Sequence, residues 1–230
     1  MARKSFTLFG SMLGLVLFLA LPAIAQNNRE MDRVQAMIAQ AKNEAEQFSK
    51  SGRKTDDPNH PNLKWAATFW RYRLKHPGTP ATVVATAQAL SLLYRSARVS
   101  EMQAKADTLK LDDPAWEQVI NTVFWASIKT KDYRYLFAKA EALTQSGADP
   151  KIKARVRFNV GEAYWRKGDV EQARIAFQTV IALYPNSSYV EAAEGNLREI
   201  EFLNVGQPAP SFDRTTINGD SLSIAGLKAR

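Results

Sequence analysis

Residues 154–187 read ARVRFNVGEAYWRKGDVEQARIAFQTVIALYPNS, and this stretch decides the fold. Gly161 and Tyr164 stand three apart on a first helix, and Gly168-Asp169 makes the turn that follows. Ala173 and Phe177 lie on a second helix, which Pro185 closes. Small residues let two antiparallel helices approach closely, aromatic rings fill the space beside them, and glycine and proline stop each helix. The stretch is therefore predicted to form a helical hairpin thirty-four residues long.

Gly161, Tyr164, Gly168, Ala173, Phe177 and Pro185 fall on the pattern of the tetratricopeptide repeat, which this stretch resembles. It departs from that pattern at Arg157, where the family favours a large apolar residue, and at Val180, where it favours alanine. The resemblance implies recognition of a protein or peptide partner by the inner face of the first helix. The positions concerned are held here by Arg155, Phe158, Glu162, Trp165 and Arg166. Two arginines there would grip a partner's carboxylate bidentately while the aromatic rings add apolar contact.

One repeat cannot bury its own apolar face, so its neighbours are expected to stack on it. Thr79–Leu111 reads as two helices meeting near Ala97-Arg98. Ile120–Leu143 reads as a hairpin turning at Lys131-Asp132-Tyr133, and Ser188–Leu203 as the final helix. The expected class is all-α, a short right-handed solenoid of stacked antiparallel hairpins. An irregular bundle containing one repeat-like hairpin is the alternative.

Helix punctuation supports this along the chain. Val34, Ile38, Ala41, Ala45 and Phe48 recur at steps of four and three, one face of an amphipathic helix over Met31–Ser49. Ser49–Asn62 is polar, carries two prolines and reads as a linker. Trp65, Phe69, Trp70 and Tyr72 at helical spacing are expected in the core. Thr79 caps the next helix, with Pro80 in its first turn, where a missing N–H costs nothing. Asp113-Pro114 and Asp149-Pro150 open two more, bearing Trp116, Ile120 and Phe124, and Ile152, Val156 and Val160. Asp169 with Gln172, and Ser188 with Glu191, fit the reciprocal capping box.

The first twenty-five residues read as an address. Arg3 and Lys4 precede an apolar run from Phe6 to Leu21, Pro22 is expected to break the helix, and Ala23-Ile24-Ala25 supplies the small-x-small pattern. This predicts a secretory signal peptide cut between Ala25 and Gln26, a bacterial source, and a periplasmic or secreted destination. A retained transmembrane anchor is disfavoured because the strongly apolar stretch falls short of the roughly 20 residues that span a bilayer. No stable membrane anchor is then expected after cleavage, and without cysteine no lipid anchor either. Of the formal charge of +8, Arg3 and Lys4 carry two, leaving +6 on the mature chain. The basic residues are dispersed and no nucleic-acid-binding signature accompanies them, so no nucleic-acid partner is expected. A protein or peptide of the cell envelope is the expected partner.

After Leu203 the pattern changes. Val205-Gly206-Gln207-Pro208-Ala209-Pro210-Ser211-Phe212 is extended and pinned by proline, and two β-prone runs flank Asn218-Gly219 as in a hairpin. Val205, Gly206, Pro208, Ala209, Pro210, Phe212, Gly219, Leu222 and Leu227 make this stretch resemble the entry segment of thioredoxin-fold redoxins. In that family a strand and a cysteine motif come next. The chain has no cysteine, and thiol–disulfide exchange needs a thiolate. The expectation is an exported, non-enzymatic repeat scaffold, the N-terminal part of a redoxin-type protein truncated before its active site. A stand-alone repeat protein unrelated to redox chemistry is the alternative. The corresponding divisions are a signal peptide at 1–25, an N-terminal helix and linker at 26–62, the helical domain at 63–203, and the redoxin-like segment at 204–230.

No cofactor and no metal site is expected. Asp56, Asp57, Asn59, His60 and Asn62 match no ligand spacing and suit a loop. Glu191, Glu194, Glu199 and Glu201 read as a solvated helix face rather than an acid–base pair. Neither a phosphate loop nor a nucleophile elbow is present.

Overall fold

The computed structural model describes the backbone of residues 9–202, 213–219 and 221–223, and helical side chains from residue 25 onward. The described helices run in the order α1 (Phe9–Lys50), α2 (Pro61–Lys75), α3 (Pro80–Arg95), α4 (Val99–Ala106), α5 (Trp116–Thr130), α6 (Arg134–Gln145), α7 (Pro150–Lys167), α8 (Val170–Leu183) and α9 (Val190–Phe202). Two three-residue strands follow, β1 (Asp213–Thr215) and β2 (Ser221–Ser223). The fold is all-α with a terminal hairpin. It divides into two compact units, residues 1–131 and 132–230.

In the first unit, α1 lies against α2 and α3, and α3 also packs on α4 and α5. Val34, Ala41 and Phe48 of the amphipathic stripe are buried, as the spacing predicts. The helix does not break at Pro22 but continues through it and through the Ala25–Gln26 bond. Proline forfeits one amide bond there, yet its fixed φ is helical, and the Leu- and Ala-rich flanks carry the helix on either side. Glu44 ties α1 to α2, accepting from Trp65 Nε1 at 2.9 Å and pairing with Lys64 at 3.0 Å. The Lys64 ammonium and the Trp65 N–H hold the Glu44 carboxyl below its usual range.

The expected linker is shorter than read from sequence, because Pro61 and Asn62 already form the first turn of α2. His60 is its N-cap: Nδ1 accepts the Asn62 amide at 3.1 Å, and the ring packs edge-on to Phe48 at 4.7 Å. Only 2% of His60 is exposed, so a position that reads as loop is part of the core. Trp65, Phe69 and Tyr72 are buried and Trp70 is half-buried, which places this aromatic run in the core as expected. Thr79 caps α3 through the Thr82 amide. Ala97, at φ 58°, takes the left-handed conformation that closes α3, and the Arg98 amide reaches back to the Leu93 carbonyl. Asp113-Pro114 forms a turn in which Asp113 Oδ1 accepts the Ala115 amide, and α5 begins at Trp116. Trp116 is fully buried and its Nε1 donates to the Lys110 carbonyl at 2.9 Å, which satisfies the polar atom of the ring.

In the second unit, α7 packs on both α6 and α8, and α9 packs on α8. Lys131, the last residue of the first unit, is the left-handed C-cap of α5 at φ 56°. Asp132 accepts the Arg134 amide and guanidinium, which hold its carboxyl down at about 2. Asp149 caps α7 by accepting the Lys151 amide. Gly168, at φ 83°, ends α7, and the Asp169 amide bonds the Tyr164 carbonyl at 3.0 Å. That bond alters the expected capping box. Asp169 Oδ1 accepts the Gln172 amide, but Asp169's own N–H is committed to α7, so the box is one-sided. Ahead of α9 the Ser187 Oγ accepts the Tyr189 amide, a local turn just before the helix begins at Val190, so the serine that engages a backbone amide there is Ser187 and not the expected Ser188.

The hairpin pairs antiparallel with Arg214 opposite Leu222. Ile217 lies in the turn and is fully exposed, and the Gly219 amide closes on the Thr216 carbonyl at 3.0 Å. Of the redoxin-like positions, Val205, Gly206, Pro208, Ala209, Pro210, Phe212 and Leu227 lie outside the described residues. Among the described residues no helix is long and apolar enough to cross a membrane.

Candidate functional site

The repeat-signature residues do what their sizes require. A Cβ on Gly161 would stand 2.6 Å from Phe177 Cε1, so only glycine admits that ring between α7 and α8. Phe177 is fully buried with Ala173 and Val180. Such a side chain contributes about 2–3 kcal/mol by burial alone. Val180, one of the two departures from the repeat pattern, thus serves as core. Tyr164 stacks on Phe137 of α6 at 4.6 Å, linking the first helix of the repeat to the helix before it.

The five inner-face residues of α7 meet different fates. Arg155 Nε donates to the Tyr189 hydroxyl. Phe158 lies 5.6 Å from Phe177 and 5.4 Å from Tyr189, ring centre to ring centre. Glu162 Oε1 accepts from Asn196 Nδ2 at 2.6 Å, and its other oxygen lies 3.7 Å from Arg166. Trp165 meets Phe177 edge to face at 6.5 Å, so much of its ring serves the core. Arg166 is exposed at the end of the helix. The structure therefore groups Arg155, Phe158 and Glu162 with residues just before and on α9, while Trp165 is turned toward α8.

Tyr189 and Asn196 complete this face and were not among the residues singled out from sequence. The signal was the repeat length itself, since each stands thirty-four residues beyond its partner on α7. Lys167 adds a second unforeseen feature. Its ammonium sits 5.3 Å from the Phe137 ring, 5.7 Å from Tyr164 and 5.8 Å from Tyr133, a cation held by three aromatic faces.

The four glutamates of α9 are all exposed, as a solvated face should be. Asp57 Oδ1 accepts the Asn59 amide at 2.7 Å, which makes that loop an Asx turn. Among the described residues no group of three or more His, Asp or Glu side chains is placed to hold a metal ion.

The class defined by these contacts is a tetratricopeptide-repeat-like helical protein, with one repeat-like hairpin whose first helix is hydrogen-bonded to α9 and to the residue just before it. In agreement, the tetratricopeptide repeat family model matches residues 154–187. No curated protein matches the chain, and no solved structure does.

Proposed function

We propose that the chain is an exported, non-enzymatic scaffold that binds a protein or peptide of the cell envelope along the inner face of α7. The observation that carries this reading is the period of the contacts. Arg155 with Tyr189 and Glu162 with Asn196 join α7 to α9 and to the residue before it, one repeat length on, in a surface bearing aromatic and charged groups. Repeats of this kind use such a surface for recognition. The fitting partner is a segment with an apolar side chain beside a carboxylate, received by Phe158 and by the guanidinium groups of Arg155 and Arg166. A photo-crosslinker at Glu162, in the exported protein, should trap a defined partner identifiable by mass spectrometry. Replacing Arg155 and Arg166 together with alanine should abolish that product; an unchanged yield would overturn the assignment.

Export rests on Arg3 and Lys4, the apolar run and Ala23-Ile24-Ala25. N-terminal sequencing of the protein from a periplasmic fraction should begin at Gln26. The redoxin link rests on the residues from Val205 to Leu227. Sequencing the gene downstream of codon 230 tests it. An in-frame strand and cysteine motif would place these helices beside a redoxin-type domain. A stop codon would leave a stand-alone repeat protein.

A further inference from the structure

In the first unit, the α2–α3 turn, α1 and the segment before α5 enclose a cleft of about 840 Å³. That volume falls in the range of small-molecule sites, about 300–1,000 Å³. Its walls are mostly apolar: Met31 from α1, Leu74 from α2, Val83 and Val84 from α3, and prolines at 77, 80 and 114. Leu74 keeps 67% of its surface exposed there, an unusual state for a leucine beside other apolar groups.

The polar side chains at the cleft are almost all committed to one another. Arg73 donates to Thr86 Oγ1 at 2.9 Å and to Asp113 Oδ2 at 2.7 Å. Asp113 Oδ1 takes the Ala115 amide, the hydroxyls of Thr79 and Thr82 lie 2.9 Å apart, and Thr82 donates to the His76 carbonyl. These side chains leave little to pair with the amide groups of an extended peptide. The remaining charge at the rim is the exposed ammonium of Lys110. A hydrocarbon body with one anionic head matches that arrangement, because it presents a single charge and no amides.

We propose that this cleft binds an acyl-chain carboxylate, with the chain against Leu74, Val83 and Val84 and the head group paired with Lys110. The site is separate from the α7 face, so its success or failure leaves the partner-binding reading untouched. The probe is cis-parinaric acid, an eighteen-carbon fluorescent carboxylate, titrated into the full mature chain, with its methyl ester as the neutral comparison. The expected result is saturable one-to-one binding that prefers the acid. Lys110→Glu should weaken the acid roughly tenfold and leave the ester unchanged. Leu74→Glu, at an exposed position, should weaken both ligands while far-ultraviolet circular dichroism stays that of the parent. Non-saturable binding, equal affinity for acid and ester, or full binding in Leu74→Glu would overturn the proposal. Capture of an acidic peptide at the cleft, displaced by Lys110→Glu, would do so too.

Discussion

Asn196 donates its side-chain amide to Glu162 across 2.6 Å, one repeat length further along the chain. A hydrogen bond to a carboxylate contributes about 1.5–3 kcal/mol when buried. The Glu162 side chain is 19% exposed, so solvent reduces this to about 1 kcal/mol. A double-mutant cycle of Glu162→Ala and Asn196→Ala, read by urea denaturation, should return a coupling energy near that value. Strict additivity would mean that this bond does nothing to join α7 and α9.

Gly161→Ala should destabilise the second unit by about 1–3 kcal/mol, because the added methyl group meets the Phe177 ring at 2.6 Å. Phe177→Leu should lose less in the Gly161→Ala background than alone, since both changes act on one space. A thermal melt of Gly161→Ala that matches the parent would rule out this close approach.

Two left-handed helix ends make opposite forecasts. Gly168→Ala should cost about 1 kcal/mol, since alanine is strained at a φ of 83°. Ala97→Gly should stabilise. Relief of about 1–2 kcal/mol of left-handed strain exceeds the roughly 0.4–1 kcal/mol of unfolded-state entropy that glycine restores. Calorimetric midpoints moving in the same direction for both variants would contradict this.

His60 makes stability depend on pH. Burial lowers its affinity for a proton in the folded state, despite the nearby Asp57 carboxylate, and the neutral Nδ1 must accept the Asn62 amide. The unfolded chain takes up the proton more readily. The stabilisation from neutral His60 is therefore complete above the ordinary histidine value of about 6.5 and is lost as pH falls below it. His60→Asn keeps a capping oxygen without a titrating ring. The stability difference between parent and variant should shrink as pH falls from 7.5 to 5. A constant difference would remove His60 from the account.

Much of this architecture was legible because it follows from local chemistry. Thr79 and Asp149 announce their helices through side-chain oxygens that accept a first-turn amide, and prolines at 80 and 150 reinforce them. Val34, Ala41 and Phe48 were recognisable from spacing alone. The misses involve atoms that serve two neighbours at once. Asp169 could not be seen to commit its amide to Tyr164, and the turn before α9 closes through the Ser187 hydroxyl, which the capping pattern did not point to. His60 reads as polar loop because its burial depends on Phe48, twelve residues earlier. The contacts of the α7 face were half legible. The pattern pointed to α7, while Tyr189 and Asn196 needed the repeat length to be carried forward one step.

The two-residue link of Gly168 and Asp169 has a bearing on how fast the second unit forms. It lets α7 meet α8 across a minimal loop, and α6 and α9 then join neighbours adjacent in sequence. Chains whose contacts are this local reach their native arrangement in roughly microseconds to milliseconds, because little loop entropy is surrendered before contacts form. The hairpin and the α9 residues that cover Phe177 would thus assemble from segments adjacent in sequence, leaving that ring only briefly open to wrong associations.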